Sequence, residues 1–179
     1  MKIVNENAPL DQLVLKMHLF AEAHLYRLLS LRLDIDEEHL PSLQFFALAK
    51  LGLGGESYKT TLVKVLALKD LRNEFAHELD EERLSPAFAK FCAKTEMFWL
   101  PYDVAGKPEQ FESLRVSAVV SGAITCVNEI WAHMARLVAE RLAAQGKDTS
   151  ELRTVILKSE EVVRGIAIEQ NSIRHMFPK

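Results

Sequence analysis

The stretch Val116-Ser117-Ala118-Val119-Val120-Ser121-Gly122-Ala123-Ile124-Thr125-Cys126-Val127-Asn128-Glu129-Ile130-Trp131-Ala132-His133-Met134-Ala135-Arg136-Leu137-Val138 decides the fold. Val116, Val119, Ala123, Val127, Ile130, Met134, Leu137 and Val138 recur at intervals of three and four, the period of a helix with one apolar face. Nothing in it alternates as a strand would, and no proline interrupts it. The pattern extends from about Glu109 to Ala144, where Gly146 stops it. At about 1.5 Å per residue such a helix is about 50 Å long, and a bend is expected near Gly122.

Working outward, the same periodicity predicts further helices. Leu10, Leu13, Met17, Phe20, His24, Leu28 and Leu31 place a first helix from about Pro9 to Leu33, closed by Asp34-Ile35-Asp36-Glu37-Glu38. A second helix is predicted from Pro41, a favourable first-turn residue, to the break at Gly52-Leu53-Gly54-Gly55. A third begins after Gly55, with Ser57 as its cap, and runs to about Leu79, where Asp80-Glu81-Glu82 ends it. A short fourth helix spans about Pro86 to Met97. Phe98 to Pro108 reads as an irregular loop, pinned to the core by Phe98, Trp99 and Tyr102. After Gly146, Asp148-Thr149-Ser150-Glu151 opens one more helix, carried by Leu152, Val155, Ile156 and Val162. Asn171 to Lys179 shows no period. The expected fold is an all-α, up-and-down helical bundle of about five to six helices. Residues 1–145 form the bundle domain. Residues 146–179 form a C-terminal helical extension and tail, part of that domain or mobile.

Composition narrows the function. The 179 residues are 49% hydrophobic and 26% charged, with a net charge of −3. That balance argues against attachment to nucleic acid by bulk positive charge, while leaving room for a small basic site. The longest apolar run, Val116 to Val127, is broken by Ser117, Ser121, Gly122 and Thr125 and is too short for a bilayer. The start is too polar for a signal peptide, so a cytoplasmic protein without membrane contact is expected. Cys92 and Cys126 lie far apart in apolar helical contexts and are expected to be small buried hydrophobes. No P-loop, GxGxxG or nucleophile elbow is present. Glu129 and His133 are four apart, but two ligands do not make a metal site. Asp34, Asp36, Glu37 and Glu38 lack the glycine and twelfth-position glutamate of a calcium loop. Neither a metal nor another cofactor is expected. His24 falls on the first helix's apolar stripe, which suits a core histidine.

One segment carries pointed chemistry: Leu71-Arg72-Asn73-Glu74-Phe75-Ala76-His77. At 100° per residue, Leu68, Leu71, Phe75 and Leu79 share one side of the third helix, with Arg72 at its edge. Asn73 and His77 lie nearly opposite, continuing a side begun by Leu62 and Leu66. The helix therefore needs cover on two sides, from its own bundle or from a second subunit. Residue chemistry alone leaves roles open. His77 suits the negative end of a helix dipole, and Arg72 could pair with Glu74, Glu78 or Asp80.

These residues resemble the HEPN family (higher eukaryotes and prokaryotes nucleotide-binding), whose signature is arginine, a polar residue, three further residues and histidine. The seven-residue string resembles the form common in bacterial members, and the helix pattern of residues 10–145 is similar. Mannitol-repressor-like proteins share a related layout. The resemblance implies a homodimer with two motifs facing one cleft, and a metal-independent endoribonuclease. His77 would be the general acid or base, Arg72 would stabilise the charged phosphorane, and Asn73 would orient the histidine or phosphate. RNA would be the substrate, because its 2′-hydroxyl is the nucleophile. Membership of toxin–antitoxin or defence systems implies a cognate partner or antitoxin. The mannitol-repressor likeness implies instead a non-catalytic regulator acting through protein–protein contacts. A third reading makes the motif a buried polar network in a structural dimer.

Overall fold

The computed structural model describes residues 10–77, 81–99 and 108–176. Among these the chain is all-α, with α1 (Leu10–Leu33), α2 (Phe45–Gly52), α3 (Lys59–His77), α4 (Glu81–Thr95), α5 (Pro108–Ala144) and α6 (Ser150–Met176), and with short 3-10 turns at Glu37–His39 and Glu56–Tyr58. No described helix is long and apolar enough to cross a membrane.

The predicted stripes become the core. Leu25 and Leu28 of α1, Leu48 of α2, Val65, Leu68 and Leu71 of α3, Phe88 and Phe91 of α4, and Ala123 and Ile130 of α5 are buried in one cluster. Helix α5 is central, packing against α1, α3, α4 and α6. At Gly122, α5 lies close against α4. A Cβ there would lie 2.7 Å from Thr95 Oγ1 and 2.8 Å from Phe91 Cε1. The glycine thus serves helix packing.

Three helices end alike. Asp34, Glu96 and Gly146 adopt left-handed φ values of 59°, 66° and 69°. The following amide bonds back in each case: Ile35 to the Ser30 carbonyl at 3.2 Å, Met97 to Cys92 at 2.8 Å and Lys147 to Leu142 at 2.9 Å. This arrangement satisfies carbonyls that the helix leaves without partners. Asp34 also accepts a hydrogen bond from Arg141 at 2.7 Å, joining the ends of α1 and α5.

Several boundaries differ from expectation. Pro41 does not open α2, which starts at Phe45. The Tyr26 hydroxyl accepts from the Leu43 amide at 2.8 Å and donates to the Leu43 carbonyl at 3.3 Å, holding this backbone out of the helix. Glu81 and Glu82 do not terminate α3; they open α4. Pro86 consequently lies inside α4. The expected ends at Leu79 and Asp80, and the segment Leu100 to Lys107 with Tyr102, lie outside the described residues. Trp99 stacks on Phe88 at 4.9 Å, as a residue pinned to the core should. Helix α6 begins as expected, with Asp148 accepting from the Ser150 amide at 2.9 Å. It continues through Asn171 to Met176, against the expectation of an aperiodic tail. Its lower half is anchored by buried Gln170, whose carbonyl accepts from the Phe98 amide at 3.0 Å.

Candidate functional site

The position of the motif follows from its apolar residues. Leu71 is buried, and Phe75 meets Phe88 of α4 edge-on at 5.3 Å. Together they fix the rotation of the last turns of α3. Arg72 and Asn73 are then half-buried, and Glu74 and His77 are exposed. An Arg72 guanidinium nitrogen donates to Asn73 Oδ1 at 3.4 Å. Arg72 also lines a 160 Å³ hollow with Phe75 and Ala76 and with Asp11, Val14 and Leu15 of α1. His77 does not line that hollow. Five residues along an ideal helix place Arg72 and His77 about 140° apart. One chain therefore joins Arg72 to Asn73 but does not bring Arg72 and His77 into one cleft.

The histidine that feels Arg72 is His18. It is buried on α1 and stacks on Phe45 at 4.1 Å. Burial, followed by the positive charges of Arg72 and Lys69, lowers its pKa to about 4, so its ring is neutral at pH 7. His24 is a core histidine, as expected, 3% exposed. Its Nδ1–H donates to the Phe20 carbonyl at 2.7 Å, and its ring lies 4.3 Å from that of Phe20 and 6.0 Å from that of Trp131. Burial lowers its pKa too.

A second polar cluster, which sequence reasoning missed, links the start of α3 to α5. Lys64 donates to Glu129 Oε1 at 2.6 Å. The Thr61 hydroxyl lies 2.7 Å from Glu129 Oε2 and 3.0 Å from His133 Nε2. Arg136 lies 3.3 Å from His133 Nδ1 and donates to Glu160 of α6 at 2.7 Å. Donor chemistry orders these contacts. Arginine and lysine only donate, and a carboxylate only accepts. Arg136 therefore donates to Nδ1, the Nε2–H donates to Thr61, and Thr61 donates to Glu129. His133 must be neutral, consistent with a pKa lowered to about 4 by burial and then by Arg136. The signal in the sequence was Lys64 itself, a lone charge within Leu62-Val63-Lys64-Val65-Leu66. Its partner stands 65 residues away, beyond the reach of local pattern.

The Glu129 and His133 side chains, four residues apart, are thus bridged by the Thr61 hydroxyl. Asp36, Glu38 and His39 gather at the surface as exposed side chains. Cys92 and Cys126 are free and buried, and burial raises both thiols, Cys92 to about 12. The chain matches no protein-family model, no curated protein and no solved structure.

Proposed function

We propose that the chain is a HEPN-like up-and-down bundle that works as a homodimer and cuts RNA without a metal, within a toxin–antitoxin or defence system whose cognate protein restrains it. The supporting observation is the accessibility of the motif. His77 stands exposed on the last residue of α3, one turn beyond the hydrogen-bonded Arg72–Asn73 pair. Arg72 and His77 diverge around a single helix, so the cleft is composite: Arg72 of one copy works beside His77 of the other. Leu15 beside Arg72, 43% exposed, and half-buried Leu62 and Leu66 offer apolar surface for the second copy.

In that cleft His77 takes the proton of the ribose 2′-hydroxyl, whose oxygen attacks the adjacent phosphorus. Arg72 neutralises charge gathering on the phosphorane oxygens, and Asn73 holds the guanidinium in place. The 5′-oxygen leaves with a proton from the second His77, and the product carries a 2′,3′-cyclic phosphate. Incubating full-length protein with mixed RNA in EDTA tests this. Wild type should cut, and folded His77→Ala should not. Equal cutting by both would remove His77 from the chemistry.

Exposed apolar residues on α6 also favour a second function, that of a non-catalytic, mannitol-repressor-like regulator. Leu157 and Ile168, 60% and 62% exposed, are three turns apart on one face of α6 and suit contact with another helix. Absence of cutting by either protein would favour it.

A further inference from the structure

A 400 Å³ cavity opens between α3, α5 and α6, and its back wall is the Thr61–Glu129–His133–Arg136 network. That volume lies within the range of small-molecule sites. A buried charge cluster is costly and marks a site worth testing for function. Here the cluster does something specific to the electrostatics of the cavity.

Glu129 would repel an anion, but Lys64, only 8% exposed, cancels its charge from behind. The neutral His133 spends its Nδ1 lone pair on Arg136 and so orients that guanidinium. Glu160, from α6, cancels one positive charge through its contact with Arg136 at 2.7 Å. Arg164 lines the same cavity one helical turn beyond Glu160, which places it about 6 Å further along the wall. Counting the lining residues and Lys64, one positive charge is left over; Glu96, 3.9 Å from Lys64 and 73% exposed, does not line the cavity. The Arg136–Glu160 pair is about four-tenths exposed, the kind of contact that contributes little and exchanges readily for another anion. Ala132 of α5 and Val163 and Ala167 of α6 line the same cavity and supply its apolar surface.

We infer that this cavity binds a small organic anion, with its charged head between Arg136 and Arg164 and its apolar body against Ala132, Val163 and Ala167. The head is a carboxylate or a phosphate ester, both of which match the planar donors of guanidinium. The site is independent of the proposed nuclease motif, since Thr61 lies roughly 16 Å from Arg72 along α3.

Isothermal titration of the full chain with 3-phenylpropionate, phenyl phosphate and neutral 3-phenylpropanamide provides the test. At least one anion should bind with Kd below about 1 mM, and the amide at least about tenfold more weakly. The stronger anion identifies the head group. Arg136→Gln/Arg164→Gln should weaken anion binding at least about tenfold, whereas Arg27→Gln, in a separate groove beside Trp131, should not change it. Ala167→Phe leaves both arginines intact and fills the apolar end. It should weaken every anion, which keeps the test decisive if the double variant does not fold. Equal binding of amide and anion, no binding up to about 10 mM, or full binding by Ala167→Phe would each overturn the assignment. His77→Ala should bind as wild type does, so failure here leaves the nuclease proposal standing, and the reverse.

Discussion

Lowering the pH from 7 to 5 should remove about 2–4 kcal/mol of folding stability, because the fold holds His18 and His133 neutral. Each has a pKa lowered from 6.5 to about 4. For a histidine lowered in the fold, the unfolded chain binds the proton first. Stability is therefore unaffected well above pH 6.5, falls as pH drops through 6.5, and stops falling below about 4. Linkage gives about 2 kcal/mol lost per histidine at pH 5, and partial solvent access at each site sets this as a ceiling. Burial is the main cause at both sites, and the neighbouring charges that add to it differ. A proton on His133 Nδ1 would meet the Arg136 donor now 3.3 Å away. A proton on His18 would add charge near Arg72 and Lys69. At about 2–4 °C per kcal/mol for a chain of this size, Tm should fall by about 4–16 °C. Urea unfolding at each pH measures the loss directly. An unchanged midpoint, or an undiminished pH slope in His18→Gln/His133→Gln, would refute the reasoning.

Further predictions concern packing and charge. Gly122→Ala should destabilise by about 1–3 kcal/mol, because its Cβ meets Thr95 and Phe91, both buried. Gly165→Ala on α6 meets nothing within 4 Å and should stabilise by about 0.5–1 kcal/mol. Paired thermal melts read both. Lys64→Met should cost about 2–4 kcal/mol by leaving the Glu129 carboxylate, 20% exposed, without its cation. Adding Glu129→Gln should recover most of that in a double-mutant cycle; additive losses would deny the coupling. The thiols of Cys92 and Cys126 should resist an aromatic disulfide reagent at pH 8 until denaturant is added.

What the sequence disclosed depended on how local each determinant is. Helix α1 buries one broad face, so its stripe was plain; α5 showed a stripe too, but it is covered by four helices and also buries Ala118, Cys126 and His133. Pro41 and Pro86 misled because each resembles a start signal, whereas the Tyr26 hydroxyl holds Leu43 extended and α4 begins five residues before its proline. The end of α6 was illegible because that helix rests on α5 along a narrow seam; Gln170 is its one buried residue, so little apolar period is required. At the site, the Arg72-Asn73-His77 string was visible, and so was the divergence of Arg72 from His77 around the helix. The proximity of His18 to Arg72 was not, because it depends on how α1 crosses α3. Nor was the Lys64–Glu129 pair, joined across 65 residues.

The central claim, a metal-independent RNA-cutting motif at Arg72, Asn73 and His77, is tested most directly by the chemistry of the product ends. Mixed RNA is treated in EDTA with wild type and with His77→Ala, and the fragments are analysed by mass spectrometry. Fragments ending in 2′,3′-cyclic phosphate, made by wild type alone, are the predicted result. Intact RNA from both proteins, or fragments with 3′-hydroxyl ends, would contradict it.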